Sequence, residues 1–177
     1  TNLDDTLFIL DDKEKEKFQK RAMMKTEHLS NYLAIITDKS RELEDRRFAV
    51  DQACELFVSE EKIVEVSSVG REEKKRYKIR EYFNQLRLLP YEKVLITWRD
   101  LSLVSELRKG TDGRYTGVIT VEQLFQGFQD GKPVYQDVTS KRIEIVVAKL
   151  DIRDGAETKT DWDVYLSNIG VSQTREK

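Results

Sequence analysis

A change of hydrophobic period at Pro90 constrains this chain more than any other feature. Before it, apolar residues recur at the spacing of helices; after it, they alternate. Phe18, Ala22, Leu29, Tyr32, Leu33 and Ile36 fall on one stripe at about 100° per residue, which predicts a helix over 13–38. Ala49, Ala53, Leu56 and Phe57 predict a second helix over 42–60. After a short β-prone run at Ile63–Val66, a third helix is predicted over 73–89, with Ile79, Tyr82, Phe83, Leu86 and Leu89 on one face. Pro90 stops it, because the residue before a proline is pushed out of helical backbone.

Beyond Pro90, Val94, Ile96 and Trp98 alternate with polar neighbours. Leu101 and Leu103 continue one residue out of phase, the signature of a β-bulge. Asp112-Gly113, Asp130-Gly131 and Asp154-Gly155 mark turns, and the strands between and after them carry the run Ile143, Ile145, Val147 and then Trp162, Val164, Leu166. Helices first and strands afterwards predict an α+β fold, three N-terminal helices packed on a strongly bent antiparallel sheet. The expected organisation is an arm over 1–12, a single domain over 13–171 and a frayed polar tail over 172–177.

Composition excludes several functions. The 31 Lys and Arg against 33 Asp and Glu leave a net charge of -2, without the basic footprint that nucleic acid requires. No apolar run is long enough for a transmembrane helix. Walker, GxGxxG, HExxH, GxSxG and CxxC patterns are absent. His28 and Cys54 are the single His and the single Cys, on separate predicted helices, so neither a metal site nor an organic cofactor is expected.

The element order, the stretch Tyr77–Pro90 followed by Tyr91–Ser105, and the paired DG turns resemble the nuclear transport factor 2-like superfamily, a cone related in outline to the cystatin-like fold. The general character of Ile79–Arg99 is similar to uncharacterised exported members from Bacteroides-type bacteria, which favours an exported or periplasmic chain over a cytoplasmic one. The resemblance implies a cone closed at one end. It also implies several possible uses: enzymes, transport adaptors and binding modules all share this fold.

Tyr32, Tyr82, Phe83, Trp98 and Trp162 are candidates to line a pocket for a flat apolar ligand, against the plainer reading that they are core. Asp100, at the predicted bulge, is a weak candidate for a cavity base with Tyr32 or Tyr82 as partner, in the manner of ketosteroid isomerase-like members. The plainer reading is a bulge carboxylate facing solvent. The basic run Arg71–Arg80 reads as a solvated helix face and His28 as a surface imidazole. The leading expectation is therefore a non-catalytic module binding a small apolar ligand or a protein partner. A small cofactor-independent isomerase or dehydratase is an alternative, and a structural domain of a larger envelope protein is another. Apolar residues of both parities, such as Val146 beside Ile145 and Val147, point to a homodimer through the sheet.

Overall fold

The computed structural model describes residues 9–176. Most of the expected arm lies outside the described residues. At its end Leu10 is buried, and its N–H donates to the Tyr115 hydroxyl at 3.1 Å. Helix α1 (Asp12–Ile36) starts at a capping box: the Glu14 N–H donates to Asp11 at 2.8 Å, and the Asp11 N–H donates back to Glu14. Its buried stripe is Phe18, Ala22, Thr26, Leu29, Leu33 and Ile36. A fully buried Leu or Ile contributes about 1.5–3 kcal/mol, so this stripe is enough to hold the helix on the sheet.

Helix α2 (Leu43–Cys54) ends short of the expected residue 60. The physical reason is a competing partner for its backbone. Val58 N–H donates to the Leu166 carbonyl at 2.8 Å and Leu166 N–H to the Leu56 carbonyl at 2.9 Å, which draws residues 56–58 out of helix and onto a strand. The third helix is shorter still, α3 (Ile79–Arg87). Residues assigned to its first turns form strand β2 (Lys75–Lys78), a hairpin partner of β1 (Ile63–Val66). The Glu65↔Arg76 pair carries an ion pair at 3.2 Å, and Val64 stands opposite Tyr77. The basic run is thus loop and strand up to Lys78, with only Arg80 on the helix.

Four long strands follow: β3 (Lys93–Lys109), β4 (Tyr115–Gln129), β5 (Lys132–Asp154) and β6 (Glu157–Glu176). The sheet order is β2-β1-β6-β5-β4-β3. It is mixed rather than purely antiparallel, since β1 joins β6 in parallel through Val64↔Ile169. The expected frayed tail is strand: Gln173 and Thr174 pair with Ser140 and Thr139. Asp130 and Gly131 both have positive φ, the geometry a tight two-residue hairpin needs.

The bulge is where the phase slip placed it. Between Arg99↔Glu122 and Ser102↔Thr120, Asp100 and Leu101 face the single residue Val121, and Asp100 has φ 58°. Two further register shifts follow in β3. Each adds local twist and bend, so the sheet curls around the helices. Trp98 is half-buried while Ile119, Ile145 and Val164 are fully buried, so one parity of each strand faces the helices. Three helices packed on one bent sheet make an α+β fold, the class the sequence predicts. No helix among the described residues is long and apolar enough to cross a membrane.

The other sheet face is largely polar. Glu122 accepts from Arg99 at 2.6 Å and from Arg175 at 3.2 Å, and Asn168 donates to Glu144 at 3.1 Å. One buried apolar cluster there joins Val146, Ala148 and Tyr165 with Val58 and Leu150, and Val138, paired with Leu124, is buried as well.

Arg46, buried on α2, joins the helices. Its Nε donates to the Ile36 carbonyl and its Nη2 to the Arg87 carbonyl, both at 2.9 Å. These are the last residues of α1 and α3, whose carbonyls have no partner within their own helices. Burial, and then the charge of Arg87, lower the guanidinium pKa below its ordinary value. We expect Arg46→Ala to lower the unfolding free energy by about 2–4 kcal/mol in urea. Lys should rescue only part of this, because it lacks the planar fork. A loss under about 0.5 kcal/mol would mean that the two helix ends are held by other contacts.

Candidate functional site

Along β5, alternate residues point to the inner face. From Ile143 to Val147 that stripe is apolar core. From Tyr135 to Lys141 it reads Tyr135, Asp137, Thr139, Lys141, all polar, and the last three are buried. The polar half of the stripe floors a cleft of about 350 Å³ at one end of the cone. Tyr82 and Leu86 of α3 form one wall, with Leu89 beyond them. Ser67, Ser68 and Arg71 from the β1–β2 loop form another, together with Tyr77 of β2. Gln123 and Phe125 of β4 and Tyr91 complete it.

The aromatic side of the cleft is ordered. Phe125 makes edge contacts with Tyr91, centroids 6.2 Å apart, and with Tyr135, 5.9 Å apart. Tyr91 is seated over Gly127, where a Cβ would lie 2.7 Å from the ring. Lys39 donates to the carbonyls of Leu89 and Tyr91 and fixes the chain on which the ring stands.

The polar floor is a hydrogen-bonded set. Asp137, 4% exposed, accepts from the Tyr135 hydroxyl at 2.6 Å and from Thr139 at 3.4 Å. Burial raises its carboxyl pKa above the ordinary value, against the opposing pull of those two bonds and of the Lys141 charge. The Tyr135 hydroxyl accepts from the Val69 N–H at 3.0 Å, and its pKa is pushed up to about 12 by burial and by its bond to Asp137. Lys141 is 3% exposed; its ammonium lies 3.4 Å from the Tyr82 hydroxyl and 5.3 Å from that ring's centroid. Gln123 is buried and accepts from Trp98 Nε1 at 2.9 Å. Chemically, the floor offers a carboxyl group poised toward its protonated form, a phenol bonded to it and a desolvated ammonium.

Of the residues singled out from sequence, Tyr82 lines this cleft. Phe83 is fully buried behind it, 6.1 Å from the Phe57 ring. Trp98 stands behind Gln123, and Tyr32 and Trp162 pack at the edge of the core. Asp100 is exposed on the bulge and is not part of the lining, so it has no place in the cavity role considered for it. The carboxylate that does sit beside a tyrosine in the cavity is Asp137. His28 is exposed; Cys54 is buried and its thiol is pushed up to about 11, chiefly by burial. Asp137, Thr139 and Lys141 were missed, although the alternation Y-x-D-x-T-x-K running into I-x-I-x-V is visible in the sequence.

No protein-family model matches the chain, and no curated protein matches it. Among solved structures it is similar to a hexachlorocyclohexane dehydrochlorinase (LinA), type 2, with TM-score 0.42 and 13% identity over 92% of this chain and 93% of that one. That likeness assigns no chemistry to the cleft, whose reading rests on its own residues.

The seat of Tyr91 is directly testable. We expect Gly127→Ala to push the ring out of place and to lower stability by about 1–3 kcal/mol. In a Tyr91→Ala background the same substitution should be close to neutral, a coupling that a double-mutant cycle in urea reads out. Additive losses would show that Gly127 matters for its backbone alone.

Proposed function

We propose that the protein is a small-ligand-binding module and that its ligand lies in the cleft between α3 and the polar half of β5. One observation carries this reading: buried charged and polar side chains floor an opening whose walls are aromatic. A core has no use for such a floor, since burying polar groups without full pairing costs free energy. A ligand site needs this combination, with apolar walls for affinity and a few placed polar groups for orientation. The volume of about 350 Å³ suits a ligand of one or two rings. The outer sheet face carries ion pairs beside the Val146 cluster, and the homodimer reading rests on that cluster.

The test is a titration with 2-naphthol, followed by amide NMR shifts. The proposal expects saturable shifts at residues 66–68, 123–125 and 135–141. Leu89→Trp, which fills the mouth of the cleft, should abolish them while leaving the fold intact. Shifts confined to other parts of the molecule would sink the proposal.

A second reading, a small cofactor-independent isomerase or dehydratase, is favoured by Asp137 and Tyr135. A buried carboxyl whose pKa burial raises, with a phenol 2.6 Å away, is a ready pair for proton transfer. Under this reading Asp137→Asn abolishes turnover and keeps ligand binding.

Asp137 also predicts a pH dependence of stability. Its folded pKa lies above its ordinary 3.8, so between those two values the folded state binds more proton than the unfolded state. The carboxyl's contribution is therefore most favourable below 3.8 and declines as pH rises through the raised folded value. Asp137→Asn should accordingly gain stability over the parent near neutral pH, with the gain shrinking on acidification. Thermal melts across that range check this; a gain that grows toward acid would reverse the sign.

A further inference from the structure

The cleft contains two cationic groups that the fold leaves under-used. Lys141 has three N–H donors, yet among the described residues its ammonium has no carboxylate partner. Its contacts are the Tyr82 hydroxyl at 3.4 Å and the face of the same ring. Arg71, on the β1–β2 loop, lines the same cleft; its Nε is buried with no hydrogen-bond partner, and its Nη2 donates to the Val66 carbonyl at a long 3.4 Å. Lys75 stands at the rim of the cleft. Asp137, the carboxylate of the lining, is engaged by Tyr135 and Thr139. A buried ammonium is stable only when paired and hydrogen-bonded. Here the missing partner is an anion, and the open space beside the ammonium is where it fits.

Building on the ligand-binding reading, we propose that the cleft selects a flat organic carboxylate. Its ring lies among Tyr82, Tyr91, Phe125 and Tyr135, its carboxylate meets the Lys141 ammonium, and Arg71 approaches from the loop. Charge-assisted bonds in a water-poor site are stronger than neutral ones, so charge discriminates between ligands that the aromatic walls treat alike. A single planar head group matches one buried ammonium and one guanidinium, and the ring bonds no group that requires further charge.

The experiment compares 2-naphthoate with its neutral counterpart 2-naphthamide by isothermal titration calorimetry on the whole chain. The parent protein should bind naphthoate about ten- to a hundredfold more tightly than naphthamide. Lys141→Met should remove that preference, bringing the two affinities to within about threefold of each other. Arg71→Gln, on the β1–β2 loop, should narrow the preference for naphthoate over naphthamide by about three- to tenfold. Thermal melts establish that each variant is folded; if Lys141→Met is not, the Arg71 variant and the ligand pair carry the test. Equal affinity for the two ligands in the parent protein would overturn the anion proposal and leave the ligand site standing. Binding of neither, with no shift in the cleft's amide signals, would overturn both. A preference for naphthoate that survives in both variants would place the anion elsewhere and overturn the proposal.

Discussion

Everything in this molecule is arranged around the inner stripe of β5. The strand pairs with β4 from Lys132 to Val146 on one side and with β6 from Asp137 to Asp154 on the other. Its inward residues are Ile143, Ile145 and Val147 in the apolar core, and Asp137, Thr139 and Lys141 where the cone opens. The apolar half organises the core. The polar half is buried as deeply, but against an opening rather than against helices. Burying an ammonium and a carboxyl on one strand is unfavourable unless each is bonded. The Tyr135 and Thr139 hydroxyls meet the carboxyl, and the Tyr82 hydroxyl and ring meet the ammonium.

The bend of the sheet makes the two halves possible. A flat sheet would let the helices cover the stripe from end to end. The register shifts of β3 curl the sheet so that α1 packs along β3 and β6, while the short α3 packs beside the β1–β2 hairpin and meets β5 where Tyr82 touches Lys141. Arg46 then holds the C-terminal ends of α1 and α3 together through their last carbonyls. The β1–β2 hairpin closes the remaining side and carries Arg71 and Tyr77 to the cleft. The cleft is therefore the consequence of helices too short to cover a bent sheet, combined with polar residues where the cover runs out.

Much of this was written in periodicity. The α1 stripe, the face of α3, the bulge after Arg99 and the DG turns all follow from local backbone preferences and spacing, which act over a few residues. The errors share one cause. Residues 56–58 and 75–78 read as helix by composition, but their backbones pair with β6 and β1, partners distant in sequence. The tail after Val171 reads as frayed because it is polar; it is strand because Ser140 and Thr139 lie opposite it. Secondary structure set by long-range hydrogen bonds leaves no trace in a local window.

The candidate site shows the same division. The sequence by itself determined the α+β class, the bulge and the alternation that puts Asp137, Thr139 and Lys141 on one face with Ile143. It also contained the aromatic residues from which a pocket could be made. Tertiary structure alone decided which of them do so. Tyr82 faces the opening while Phe83, its neighbour on α3, is sealed in the core, and Asp100 looks outward on its bulge. The physical reason is that periodicity fixes which face a side chain takes, whereas burial depends on how far the opposing helix reaches and how sharply the sheet bends.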